Sequence, residues 1–212
     1  KMKRILFLLM AVIVVFGLGT TANAYTLEVR GTDTLGNRLI YDPDLNITWY
    51  DFSKAPAIWA NQVAWADTLS VTFGSTIYDD WRLPSTVDGP FVWGYDGTTT
   101  GGFNITSSEM GHLYYTELGN KGFFATDGTN PQPGWGLSNT GDFQNLNPNP
   151  NQYWSGTELA TDTINAWFFS FFHGAQSADT SKDFNFYALA VRSGDVAAAT
   201  SVPEPTTVAL LG

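Results

Sequence analysis

Few side chains in this sequence are equipped for chemistry. It has two histidines, His112 and His173, twenty acidic residues and no cysteine. Thiol catalysis, iron–sulfur clusters and thiolate zinc sites are therefore excluded, and two histidines do not make a multi-histidine centre. Asp79 and Asp80 amount to half of a calcium loop, short of the six to eight oxygens that calcium takes. No metal ligand set is assigned, and no cofactor is expected. Glu109 and Glu158 are the carboxylates that would have to act as a hydrolytic pair. Glu109, however, closes the run Thr106-Ser107-Ser108-Glu109, which reads as a capping box. His112 lies off the apolar stripe of the helix that follows and reads as solvated, with no nucleophile or carboxylate assignable to it as a general base. What remains is the chemistry of rings. Phe91, Trp93, Tyr95, Phe103, Trp135 and Tyr153 stand in or beside long loops, where their faces would stack on the C–H surfaces of sugars. Trp93, Tyr95 and Trp135 are the candidate ligand-binding residues; the competing reading is that such rings pin the loops to the core.

Residues 153–195 are the stretch that must hold this surface in place. The aromatic, uncharged run 166–172 reads as a strand with Trp167, Phe169 and Phe171 on one face and Phe168, Ser170 and Phe172 on the other. Aromatic on both faces, it has to be covered on both and so lies centrally. A second apolar run, 184–192, follows a polar stretch, and the two read as antiparallel neighbours joined by a loop. Earlier in the chain, 25–30 alternates as a strand. The runs 39–42 and 45–50 flank Asp42-Pro43-Asp44 and read as a hairpin. A first helix is predicted over 56–69, opened by Pro56 and capped by Ser53. Its stripe is Ile58, Trp59, Val63, Trp65, Ala66 and Leu69, which assigns Trp59 and Trp65 to the core and not to sugar stacking. Residues 71–73 form a short strand. Arg82 reads as a buried guanidinium fixed by backbone carbonyls or by Asp79 or Asp80. A second helix starts at the capping box, carries Met110, Leu113, Tyr114 and Leu118, and ends at Gly119. Residues 88–104 and 121–152 read as long loops, the places to look for a binding surface.

Both ends read as addresses. Lys1, Lys3 and Arg4 precede an apolar run over 5–18 and then Ala22-Asn23-Ala24, a secretory signal over 1–24 with cleavage between Ala24 and Tyr25. The apolar run is shorter than the ~20 residues that a spanning helix needs, so the mature domain is not expected to be membrane-embedded. Loss of the signal leaves seven basic against twenty acidic side chains, a net charge of −13. Such a surface repels phosphate backbones and anionic lipid, so no nucleic-acid partner is expected. A domain without disulfides must be held by its apolar core, to which an aromatic content of 15% contributes.

Six ordered motifs carry a resemblance. They are W-x5-W-A-x2-L (Trp59, Trp65, Ala66, Leu69), WRLP over 81–84, SE-x-GHLYYTELGN over 108–120, YWSGTE over 153–158, AWFFSF-x2-G over 166–174 and ALAVRSGD over 188–195. Together they resemble the Lcl C-terminal domain family, named after a collagen-like bacterial adhesin. The likeness covers about residues 39–195, with one departure at Gln62, where the family has a small apolar residue. It places Glu158 in a strand motif. The family is similar in turn to C-type-lectin-like and sulfatase-modifying domains, which implies two helices packed on a twisted antiparallel sheet with long loops. The calcium-dependent sugar motifs of true C-type lectins are absent, and the sulfatase-modifying activity needs cysteines. A second resemblance lies at the other end. After a linker over 196–201, Val202-Pro203-Glu204-Pro205 followed by an apolar stretch to 212 is similar to the start of a PEP-CTERM sorting signal. In bacteria that signal is cut by exosortase, with Pro203, Glu204 and Pro205 as the sorting motif. The sequence is expected to stop inside it.

These readings converge on an α+β, C-type-lectin-like domain over 25–195. The expected protein is non-enzymatic and secreted to the envelope or matrix of a Gram-negative bacterium, meeting signal peptidase and exosortase on the way. Its expected ligand is extracellular polysaccharide or another surface component. A structural matrix protein without a ligand is the alternative, and a carboxylate-based glycan hydrolase the third.

Overall fold

A computed structural model describes residues 27–147 and 152–196. The signal sequence, its cleavage point at Ala24 and Tyr25, and the sorting motif Pro203, Glu204 and Pro205 lie outside them, as does most of the linker.

The described chain is mixed α+β. Strands β1 (Glu28–Thr32), β2 (Arg38–Asp42) and β3 (Ile47–Ala57) form an antiparallel meander. The turn between β2 and β3 is the predicted one. The Asp42 carboxylate accepts the Leu45 N–H at 3.0 Å, and Asn46 takes a left-handed φ of 51°. Helix α1 (Trp59–Asp67) follows, then the short hairpin β4 (Val71–Phe73) and β5 (Thr76–Tyr78). Strands β6 (Trp93–Gly94) and β7 (Gly101–Phe103) interrupt the loop expected over 88–104. Helix α2 (Glu109–His112) runs directly into a π-helical turn, Leu113–Glu117. The chain closes with β8 (Gln152–Glu158), β9 (Ala166–Ser170), β10 (Ala175–Ser177) and β11 (Phe186–Ser193).

Nine strands make one sheet in the order β1-β2-β3-β11-β8-β9-β10-β7-β6. It is mixed and not antiparallel throughout, because β11 pairs with β8, and β6 with β7, in parallel. The expected β9–β11 neighbourhood is wrong for the same reason: β8 lies between them, and β9 makes its tight antiparallel pair with β10. The central place of β9 holds, with all five of its residues buried.

Period-two alternation sends sequence neighbours into opposite layers. Ile40, Trp49, Tyr153, Phe169 and Leu189 pack with Met110, Leu113 and Tyr114 under the second helix. Leu39, Tyr50 and Ala190 pack instead with Val71, Phe73 and Trp81. Trp154, Phe168 and Ala188 meet Ala66, Leu83 and the half-buried Trp59, Val63 and Trp65 of α1. The core reading of both tryptophans therefore holds. At about 3–5 kcal/mol for truncation of one buried ring, these two faces dominate the stability.

The first helix starts later than expected. Pro56 belongs to β3, where the β3–β11 register shifts between Phe186 and Ala188, so its missing N–H breaks no ladder bond. Ile58 is the N-cap without a side-chain bond, and Ser53 donates its hydroxyl to the Asn145 carbonyl. Gln62 is fully buried and works at this irregularity. Its Nε2 donates to the Ala55 carbonyl at 2.8 Å and the Phe186 carbonyl at 2.7 Å. The second helix is capped by Ser108, two places later than a Thr106 capping box would have it. The Ser108 hydroxyl accepts the Gly111 N–H at 3.1 Å. Gly119, at φ 62°, ends the helical stretch as predicted.

Candidate functional site

The edge of the sheet at β6 and β7 carries the aromatic surface. Trp93 sits in β6, 51% exposed, and packs edge-on against Phe103 with ring centroids 5.6 Å apart and against Phe91 at 6.2 Å. Phe103 is buried and touches Phe124 at 4.9 Å. Tyr95, 46% exposed, stacks on that same Phe124 with 19° between planes. Phe124 meets Phe123, and Phe123 meets Trp135 at 4.9 Å. Trp93, Tyr95 and Trp135, distant in sequence, thus attach to one chain of touching rings. Trp135 is half-buried. It lies nearly parallel to the His173 ring, 3° apart at 5.9 Å, and edge-on to Phe172 at 5.3 Å. With Phe172, Leu137, Gly136 and Ser138 it lines an open depression of about 360 Å³.

Backbone ties hold this surface in register. Asn104, at a left-handed φ of 58°, donates from Nδ2 to the Tyr95 carbonyl at 2.7 Å and the Phe124 carbonyl at 2.9 Å, so one amide locks two loops. Gln132 donates to the Gly122 carbonyl at 2.6 Å and the Phe124 carbonyl at 3.2 Å. Two Asp-Gly-Thr tips complete it. Asp96 accepts the Thr98 hydroxyl at 2.7 Å and the Thr98 N–H at 3.0 Å, and Asp127 accepts the Thr129 N–H at 2.8 Å, bonds that draw both carboxyls below their ordinary range. The segment 121–147 has almost no regular structure, yet it is held by specific bonds, among them those of buried Asn120 to Ser138 and Asn139.

Not every ring proposed for stacking is available. Tyr153 is fully buried in the core, and Phe103 is 5% exposed. Each lies in a strand, at a position that faces the core, a feature that their loop context hid.

The carboxylates are occupied. Glu109 takes both guanidinium arms of Arg82, Nη1 at 2.7 Å and Nη2 at 2.6 Å, and accepts the Ser85 N–H at 2.6 Å. Arg82 is therefore paired across 27 residues and with neither Asp79 nor Asp80; its Nη1 also donates to the Leu83 carbonyl at 3.1 Å, as the carbonyl reading had it, and the side chain is only half-buried, 41% exposed. Asp80 instead receives Arg192, Nε at 2.8 Å and Nη2 at 3.0 Å. Glu158 is paired with Lys182 at 2.5 Å, whose ammonium also sits 4.6 Å over the Trp59 ring.

His112 differs most from its expectation. Its side chain is only 14% exposed, with Nε2 3.1 Å from Glu117 Oε1 and 3.8 Å from Asp44 Oδ2. The partner was missed because 112 and 117 lie on different sides of an α-helix, and only the π turn brings them together. His173 has Ser170 Oγ 3.4 Å from its Nδ1, but that serine is buried and both residues belong to one tight turn. Comparison with protein-family models, with curated proteins and with solved structures found no match for this chain.

Proposed function

We propose that this chain is an exported, non-enzymatic domain of the cell envelope or extracellular matrix, of C-type-lectin-like fold, that binds carbohydrate through its aromatic edge. The observation that carries the reading is the joining of Trp93, Tyr95 and Trp135 into one partly exposed ring surface on a rigid scaffold. Exposed indole and phenol faces with polar loop tips beside them suit pyranose rings, whose C–H faces stack while their hydroxyls find hydrogen bonds. The neutral or weakly charged part of an extracellular polysaccharide is the class this surface fits. Its own acidity opposes sulfated chains. Glu109 and Glu158 each hold a cation, which supports binding over hydrolysis. Export by the N-terminal signal and sorting by Pro203, Glu204 and Pro205 belong to the same proposal and rest on the sequence.

The test is a glycan array probed with the purified chain and with Trp93→Ala and Trp135→Ala. Binding to a neutral glycan that both variants lose supports the reading. Silence across neutral and acidic glycans favours a structural matrix protein. Turnover of a glycoside lost in Glu158→Gln would establish the hydrolase instead.

A further inference from the structure

Opposite in character to the aromatic edge, the β2–β3 turn and the second helix converge on an acidic cluster around His112. The ligand atoms of Asp42, His112 and Glu117 all lie within 4.8 Å of one another. Asp44 Oδ2 stands at the rim, 3.8 Å from His112 Nε2. Donors on one tetrahedral ion at about 2.0–2.2 Å are roughly 3.4 Å apart, so a contraction of about 1 Å or a little more would close the shell.

Two further observations point to a cation as the ligand of this cluster. The first is the poverty of donors. Asp42 is fully buried; one of its oxygens accepts the Leu45 N–H at 3.0 Å, and the other, among the described residues, meets only the Trp49 indole N–H, at a long 3.5 Å. The Glu117 side chain is 4% exposed, and among the described residues His112 is its only hydrogen-bond partner. Two buried carboxylates face each other with one imidazole between them, an arrangement that costs several kcal/mol per uncompensated charge. The second is the helix itself. On an α-helix, residues five apart point about 140° away from each other. Here the Leu118 N–H bonds back to the Leu113 carbonyl at 3.0 Å, five residues earlier, and the widened turn swings Glu117 under His112. Turns of this kind gather where side chains must be aimed.

We propose that Asp42, His112 and Glu117, with Asp44 at the rim, bind one divalent first-row transition-metal ion. One imidazole and two or three carboxylates form a donor set of the zinc and manganese class; calcium requires more oxygens than these residues supply. The ion would join a hairpin turn to a helix some seventy residues away, a cross-link that this cysteine-free chain cannot make with a disulfide.

The test uses the untagged chain, stripped with a chelator and titrated calorimetrically with ZnCl2, MnCl2 and CaCl2 in turn. One equivalent of Zn²⁺ or Mn²⁺ is expected, with a raised thermal midpoint and with Ca²⁺ weaker than either. Glu117→Gln and His112→Gln should weaken binding by at least roughly tenfold, while Asp79→Asn leaves it unchanged. Because Glu117→Gln alters a buried side chain, histidine NMR of the unaltered chain supplies an independent readout: Zn²⁺ should shift the His112 resonances and not those of His173. No saturable binding of Zn²⁺ or Mn²⁺, tighter Ca²⁺ binding, an affinity unchanged in Glu117→Gln, or a response at His173 alone would each overturn the proposal.

Discussion

Glu109 joins two parts of the molecule that the chain separates by more than twenty residues. Its carboxylate grips Arg82 with both oxygens and also accepts the Ser85 N–H, so it fixes the Trp81–Pro84 segment to the first turn of α2. Glu109→Gln keeps the volume, removes the charge and turns one acceptor oxygen into a donor that faces a guanidinium or an N–H. A charge-assisted hydrogen bond contributes about 1.5–3 kcal/mol. The guanidinium is 41% exposed, so solvent screening puts the expected loss at the low end, about 1.5–2 kcal/mol. A domain of this size moves about 2–4 °C per kcal/mol, which makes the drop in thermal midpoint roughly 3–8 °C. Urea unfolding followed by tryptophan fluorescence, on Arg82→Met, Glu109→Gln and the double variant, isolates the coupling, expected at about 1–2 kcal/mol. The Arg38–Asp142 pair, 3.7 Å apart with Asp142 more than half exposed, is the control and should couple by about 0.5 kcal/mol or less. Added salt should erase the control coupling and spare most of the other. If the Arg82–Glu109 coupling is no larger than that of the control, the pair does not anchor this segment.

Gln62→Leu should cost about 1–3 kcal/mol in denaturant unfolding although it places an apolar residue in an apolar layer, because it strands the Ala55 and Phe186 carbonyls; a neutral result would show that the bulge satisfies itself. Phe169→Ala should cost about 3–5 kcal/mol, whereas Trp93→Ala, half in solvent, should cost about 1 kcal/mol; equal losses would mean that the ring edge is core. Burial holds the His173 imidazole below its ordinary pKa, so the folded state takes up its proton later than the unfolded one. Its contribution to stability is therefore present above about pH 6.5 and is lost as pH falls through that value toward the folded pKa. Unfolding midpoints at pH 7.5 and 5 should differ more for the parent than for His173→Gln, and an NMR titration placing His173 at or above the ordinary value would reverse the sign.

Local rules read from the sequence reached far into this fold. Alternation identified β9 as buried on both faces, Asp42-Pro43-Asp44 marked the β2–β3 turn, and Gly119 marked the end of the second helix, since each depends only on residues within a few positions. The stripe of α1 was also legible, because burial on a helix follows from its period. Start points were not: Pro56 reads equally well as a first helical residue or as a proline in a bulge, and the choice was made by the partner strand β11.

Pairing over distance belonged to the tertiary structure alone. Two aromatic strands near the end of the chain are natural neighbours by sequence, yet β8 came between them, because strand order is set by which faces can be buried together and not by proximity along the chain. The same holds for Arg82, whose partner waited 27 residues on, and for Trp93, Tyr95 and Trp135, which only the folded loops join. Composition determined which chemistries were excluded, since a residue type that is missing is missing everywhere. Where the few remaining histidines and carboxylates meet was decided by one widened helical turn and one hairpin, a matter of angles that no linear spacing records.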